Sequence, residues 1–91
     1  MLNYEVGDIV TVLTISGEFV GRFENSENNT ITLSDPRMLV INDNGMGFAH
    51  GVCVTGKNNV TDVTFMNFVL VTPTNDEIVA AWRRATTGLI S

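Results

Sequence analysis

Residues 17–23 read GEFVGRF, and Gly21 falls inside a stretch that otherwise reads as a β-strand. A glycine there gives up side-chain packing and costs backbone entropy. It marks a bulge, a sharp bend or a close backbone approach. A small sheet that curls around its own core needs glycines and bulges at its corners. Gly21 is therefore read as the residue that lets the second strand bend.

The flanking chain supplies the other strands. Ile9–Ile15 is apolar and β-branched on both faces, with Ile9, Leu13 and Ile15 on one and Val10 and Val12 on the other. That pattern predicts a strand covered from both sides. Phe19, Gly21 and Phe23 share the apolar face of strand two; Glu18, Val20, Arg22 and Glu24 share a mostly polar one. After the polar turn Asn25–Asn29, Ile31 and Leu33 point inward from a third strand, which Asp35-Pro36 interrupts and Met38–Ile41 resumes. Asn44-Gly45 signals a hairpin, since both residues reach positive φ cheaply. Phe48–Thr55 is expected as strand four. Val60–Thr72, apolar on both sides, is expected as a long fifth strand that must bend or divide.

Pro73 ends that run. Thr74 and Glu77 match a capping box. Ile78, Val79, Ala81, Trp82 and Ala85 form the apolar stripe of a helix. Arg83 and Arg84 fall late in it, where cations are favoured, and Gly88 is expected to stop it. Trp82 is expected to anchor the helix on the sheet or on a neighbour. The expectation is one all-β domain over 1–91, with five strands over about 6–73 and a C-terminal helix over about 75–86.

Charge and cysteine content narrow the function classes. Ten acidic and five basic residues give a net charge of −5, so the broad basic footprint of many nucleic-acid binders is absent. Charged residues are only 16% of the chain, which suggests that a partner covers some apolar surface. A single cysteine rules out an internal disulfide and a zinc cluster. MLNYEVGD has neither a basic nor an apolar leader pattern, and no apolar run is long enough for a bilayer. These features give the expectation of a cytoplasmic protein with no membrane segment.

Strand one, Gly17, Gly21, Phe23, the acidic loop with Glu27, and Ile31-x-Leu33 ending in Asp35 together resemble the first motif of the Sm/LSm/Hfq family. The match covers about residues 6–35. The second motif fits in two registers. In one, Phe65–Val69 precedes a final strand Leu70–Pro73 and the family's basic residue is missing; in the other, Thr55–Val60 imitates the motif through Lys57. The first is preferred because it sets the final strand beside Pro73. Residues 36–60 are then an enlarged hairpin, and the helix follows the strands instead of preceding them. The layout looks like the small Sm-like proteins of phage genomes, which implies a host cytoplasm. The resemblance implies a strongly bent, five-stranded, SH3-like barrel. It also implies a homo-oligomeric ring of about five to seven protomers, strand four of one beside strand five of the next.

The ligand implied is single-stranded RNA or DNA, with a role in its processing. Asn25, Glu27, Asn28, Asn29 and Thr30 match the family's pore-facing loop, where asparagine can bond base edges and sugar hydroxyls. Lys57, Asn58, Met66 and Asn67 form a second set, Lys57 for a phosphate. The plain alternative for each is a polar turn, and for Asn67 a bulge or subunit contact. Phe65 and Phe68 are candidates for base stacking, with core packing the alternative. His50 and Cys53 lie on opposite faces of an expected strand, a poor metal geometry. No catalytic set, metal site or cofactor site is expected, and the chain is read as a binding protein and not an enzyme. A structural or protein-interaction module without nucleic-acid binding is the alternative.

Overall fold

The computed structural model describes residues 3–87. It has six strands where five were expected, followed by one helix: β1 (Ile9–Thr14), β2 (Gly17–Glu27), β3 (Thr30–Asn42), β4 (Gly45–Phe48), β5 (Asp62–Met66), β6 (Leu70–Pro73) and α1 (Asp76–Thr87). All pairings are antiparallel, in the order β4-β3-β2-β1-β6, with β5 also on β3. The first half of β3 therefore carries β5, and its second half carries β4.

Gly21 sits at a bulge, but the extra residue lies on the facing strand. Val20 pairs with Arg37 and Arg22 with Ser34, so Gly21 faces both Asp35 and Pro36. Asp35 takes a left-handed φ of 50°. Pro36 has no N–H to donate, and a bulge is one of the few places inside a sheet that tolerates it. Asp35-Pro36 thus kinks β3 without ending it, which corrects the expected interruption. A Cβ on Gly21 would stand 3.0 Å from Leu33 Cβ and 3.2 Å from Pro36 Cα. The glycine is needed for close approach, not for an unusual φ. A second shift between Phe23 and Asn25 puts another extra residue, Glu24, on β2.

These irregularities curl the sheet around one core. Val10, Val12, Phe23, Ile31 and Leu33 are buried together, with Tyr4, Phe65, Phe68 and Val71 packed against them. Phe19, late-paired on β3 with Met38, meets Phe65 on β5 at 4.9 Å between ring centroids. Only strong curvature brings those positions together. β1 is covered less evenly than expected: Val10 and Val12 are fully buried, Ile9 and Leu13 half-buried, and Ile15 lies exposed beyond the strand.

Trp82 docks α1 on the opposite face of β2 and β3, as its place in the stripe led us to expect. It is fully buried and donates from Nε1 to the Asp35 carbonyl at 2.9 Å. The bulge leaves that carbonyl free for it. Arg22 lies 5.1 Å from the Trp82 ring and pairs with Asp35 at 2.9 Å. The face of β2 read as mostly polar is therefore partly covered: Val20 is buried in it, Arg22 and Glu24 are half-buried, and Glu18 stays exposed. The helix cap moves by one residue: Asn75 Oδ1 accepts from the Glu77 amide at 2.8 Å. Thr74 instead bonds Thr11 at 2.8 Å, tying the turn to β1. Gly88, the expected helix stop, lies outside the described residues.

One strand expectation fails, and the longest expected strand takes one of its two expected forms. Phe48–Thr55 is not a strand; β4 ends at Phe48, and residues 50–60 form turns. Gly51, Gly56 and Asn58-Asn59 favour turns over the weak alternation of Val52 and Val54. Asn59 takes a φ of 56° and donates to the His50 carbonyl at 2.7 Å, closing the loop. Buried Arg37 holds this loop from below, donating to the Asn59 side chain at 3.2 Å and to the Pro36 carbonyl at 2.8 Å. Burial pushes the Arg37 guanidinium below the ordinary arginine value, and the nearby Asp35 charge opposes that shift. The long run Val60–Thr72 divides into β5 and β6 at Asn67, whose φ of 58° ends the strand.

Candidate nucleic-acid interface

Two tight turns meet at one end of the curled sheet. The first joins β2 to β3 through Asn28-Asn29, with Asn28 at a φ of 51°. Asparagine adopts this conformation more readily than other non-glycine residues. Thr30 closes the turn, donating from Oγ1 to the Glu27 carbonyl at 2.8 Å. The second turn, Asn67 to Val69, joins β5 to β6. β5 pairs with the start of β3, so Thr30 lies opposite Met66. The Asn67 amide then donates to the Asn29 carbonyl at 3.1 Å, and the Val69 amide to the Leu13 carbonyl at 2.8 Å.

Asn29, Asn67 and Phe68 line an open cleft of about 330 Å³ between these turns. The arrangement suits a flat, hydrogen-bonding ligand. Two carboxamides each offer donors and an acceptor, and Phe68 offers an apolar surface. Phe68 also packs against the core, so its two expected roles are not exclusive. Its position is fixed from behind.

The sequence-derived candidates divide around this cleft. Asn28, Asn29 and Thr30 belong to the first turn, and Glu27 adjoins it. Met66 and Asn67 belong to the second. Asn25 lies further back, paired with Thr32 in the ladder. Lys57 and Asn58 lie in the loop folded over Gly51, whose added Cβ would meet the Lys57 carbonyl at 3.1 Å. That loop rejoins the sheet where the Asp35 amide donates to the Thr61 carbonyl. Asp35 is five residues along β3 from Thr30, roughly 16 Å at the usual rise per residue. The Lys57 register of the second motif therefore does not share the cleft; the Asn67 register does.

Among the described residues, no cation lines the cleft. Arg22 bonds Asp35 and Ser34, and Glu27 is the nearest charged residue in the chain to Asn29. Among the described residues, no group of three or more His, Cys, Asp or Glu side chains could hold a metal ion. No described helix is long and apolar enough to cross a membrane. The sheet leaves edges beside this end of the molecule: among the described residues β5 pairs only with β3, and β6 only with β1. Comparison with protein-family models, with curated proteins and with solved structures found no match.

Proposed function

We propose that the chain is an Sm-like, ring-forming protein that binds single-stranded nucleic acid, RNA foremost, in the cytoplasm and serves its processing. The observation that carries this reading is the meeting of the two asparagine turns across the Asn67–Asn29 bond, with Phe68 beside them. Asn29 and Asn67, thirty-eight positions apart, share one cleft because β5 pairs with the start of β3, a pairing in keeping with the resemblance. The strand order β6-β1-β2-β3-β5 supports the same reading, with β3–β4 as the enlarged hairpin. The edges of β5 and β6, unpaired among the described residues, favour a homo-oligomeric ring of about five to seven protomers, because head-to-tail pairing removes both. With the expected strand four absent, β5 and β6 are the strands that would meet.

The test has two parts. Light scattering gives the native mass: a discrete closed multimer is expected, and a dilute monomer refutes the ring. Binding of labelled single-stranded oligonucleotides is then followed by polarisation. Asn29→Ala and Asn67→Gly, the latter retaining the positive φ, are each expected to weaken binding about fivefold, in keeping with one lost hydrogen bond. Unchanged affinity in both refutes the cleft as the site.

A second reading, a structural or protein-interaction module, draws on the net charge of −5 and the cleft without a cation. A folded multimer that binds no oligonucleotide at low salt would favour it.

A further inference from the structure

The other face of the sheet carries a groove unrelated to the asparagine cleft. It measures about 340 Å³ and is lined by Val20, Leu39, Ile41, Met46 and Ile78, with Glu18 among them. It exists because α1 covers only part of this face. Trp82 seats the helix over the bulge, while the β3–β4 hairpin continues past it. Ile41 and Met46 pair across that hairpin and remain 70% and 60% exposed. Most of the apolar surface of this cross-strand pair is left uncovered within the described chain.

The charges nearest the groove along the chain have one sign. The charged residues that line it or adjoin a lining residue in sequence are Glu18, Asp76 and Glu77. Asp43 lies at the hairpin tip two positions from Ile41. The arginines two positions from lining residues are both committed elsewhere. Arg22 is held by Asp35, Ser34 and the Trp82 ring. Arg37 is buried on Pro36 and Asn59. An apolar floor with an acidic surround selects for an apolar partner carrying positive charge, since desolvated like charges would be strongly disfavoured.

We propose that this groove docks a short segment of another protein, in which a few apolar residues are flanked by lysine or arginine. The apolar side chains fill the space between Ile41, Met46 and Ile78. The flanking cations meet Glu18 and the acidic first turn of α1. Among the described residues β4 pairs only with β3, so an extended segment also finds an unpaired edge there beside the groove. The contact is independent of the nucleic-acid reading, because it uses the opposite face.

The probe is a fluorescein-labelled peptide, Gly-Lys-Lys-Leu-Ile-Leu-Lys-Lys, titrated against the full chain by polarisation. Two control peptides replace the apolar residues with serine or the lysines with glutamate. Saturable binding is expected, with both controls about tenfold or more weaker. The double variant Ile41→Ser, Met46→Ser and the single variant Glu18→Gln are each expected to lose about fivefold or more. Val6→Ser removes an equally exposed apolar residue outside the lining and leaves affinity unchanged. If the double variant is misfolded, Glu18→Gln still reads the site. Equal binding of the serine control means bulk attraction to an acidic protein and overturns the proposal. So does unchanged affinity in folded variants. A multimer that dissociates in the double variant while peptide affinity holds would assign the groove to a second copy, and also overturns it.

Discussion

Replacing Gly21 with alanine isolates the feature on which the curl of the sheet depends. The new methyl would lie 3.0 Å from Leu33 Cβ, 3.1 Å from Leu33 Cδ1 and 3.2 Å from Pro36 Cα. Leu33 is fully buried in the core, and Pro36 is fixed by the bulge. The space that a methyl needs is therefore missing on two sides, one of them backbone. Overpacking of this kind costs about 1–3 kcal/mol. The φ of Gly21 lies outside the positive range that alanine avoids, so no φ penalty adds to that cost. Alanine also narrows the unfolded ensemble, which returns about 0.4–1 kcal/mol. The net expectation is a loss of about 1–2 kcal/mol.

In a domain of this size each kcal/mol moves Tm by about 4–8 °C, so a fall of roughly 5–15 °C is expected. Urea unfolding at fixed protein concentration checks it, and the midpoint should fall with the slope unchanged. Gly47→Ala is the control. Gly47 lies in β4, and a Cβ there would meet nothing within 4 Å. That variant should be neutral or slightly stabilising. If Gly21→Ala is no less stable than Gly47→Ala, the close-approach account of the bulge is wrong.

Three further predictions follow from the same contacts. Trp82→Phe keeps most of the buried ring but strands the Asp35 carbonyl; a loss of about 1–3 kcal/mol is expected by urea unfolding, from the unpaired polar group and the smaller ring. Asn75→Ala removes the bond to the Glu77 amide, and calorimetry should find the variant about 1 kcal/mol less stable, whereas a capping box at Thr74 would leave it unaffected. Asn67→Val forces a β-branched residue into a left-handed φ, with an expected cost of about 1–2 kcal/mol by thermal melting, while Asn67→Gly should stay near wild type.

Local chemistry made some of this legible in the sequence. Helix α1, its acidic start and its Trp82 anchor follow from a 3.6-residue stripe and end charges, which depend on neighbours a turn away. Gly21 was readable as a corner because a lone glycine in a strand has few other uses. Its partner was not: the extra residue belongs to β3, and only the pairing of Val20 with Arg37 and Arg22 with Ser34 reveals it. The loop at 50–60 misled because Phe48, Val52 and Val54 alternate like a strand. Its backbone bonds run instead from Asn59 to His50 and from Gly56 to Cys53, with Met38 of β3 donating to Gly51 and Arg37 beneath. In the candidate site, each asparagine turn could be seen alone. That Asn67 and not Lys57 shares a cleft with Asn29 depends on β5 pairing with the start of β3, a long-range fact.

The Asp35-Pro36 bulge links the two faces of the molecule. On the inner side it presses Pro36 against Gly21 and follows directly on the β5 ladder, which pairs with Thr30 to Ser34 and carries Asn67 to Asn29. On the outer side the same bulge frees the Asp35 carbonyl for Trp82 and sets the Asp35 carboxylate against Arg22. The helix is thereby pinned over the bulge, and the surface toward Ile41 and Met46 stays open. One irregular dipeptide thus stands between the strand segment that carries the asparagine cleft and the one that borders the acidic groove. A perturbation at Gly21 or Trp82 should therefore reach both surfaces, whereas Asn29 and Glu18, each at its own surface, should act separately.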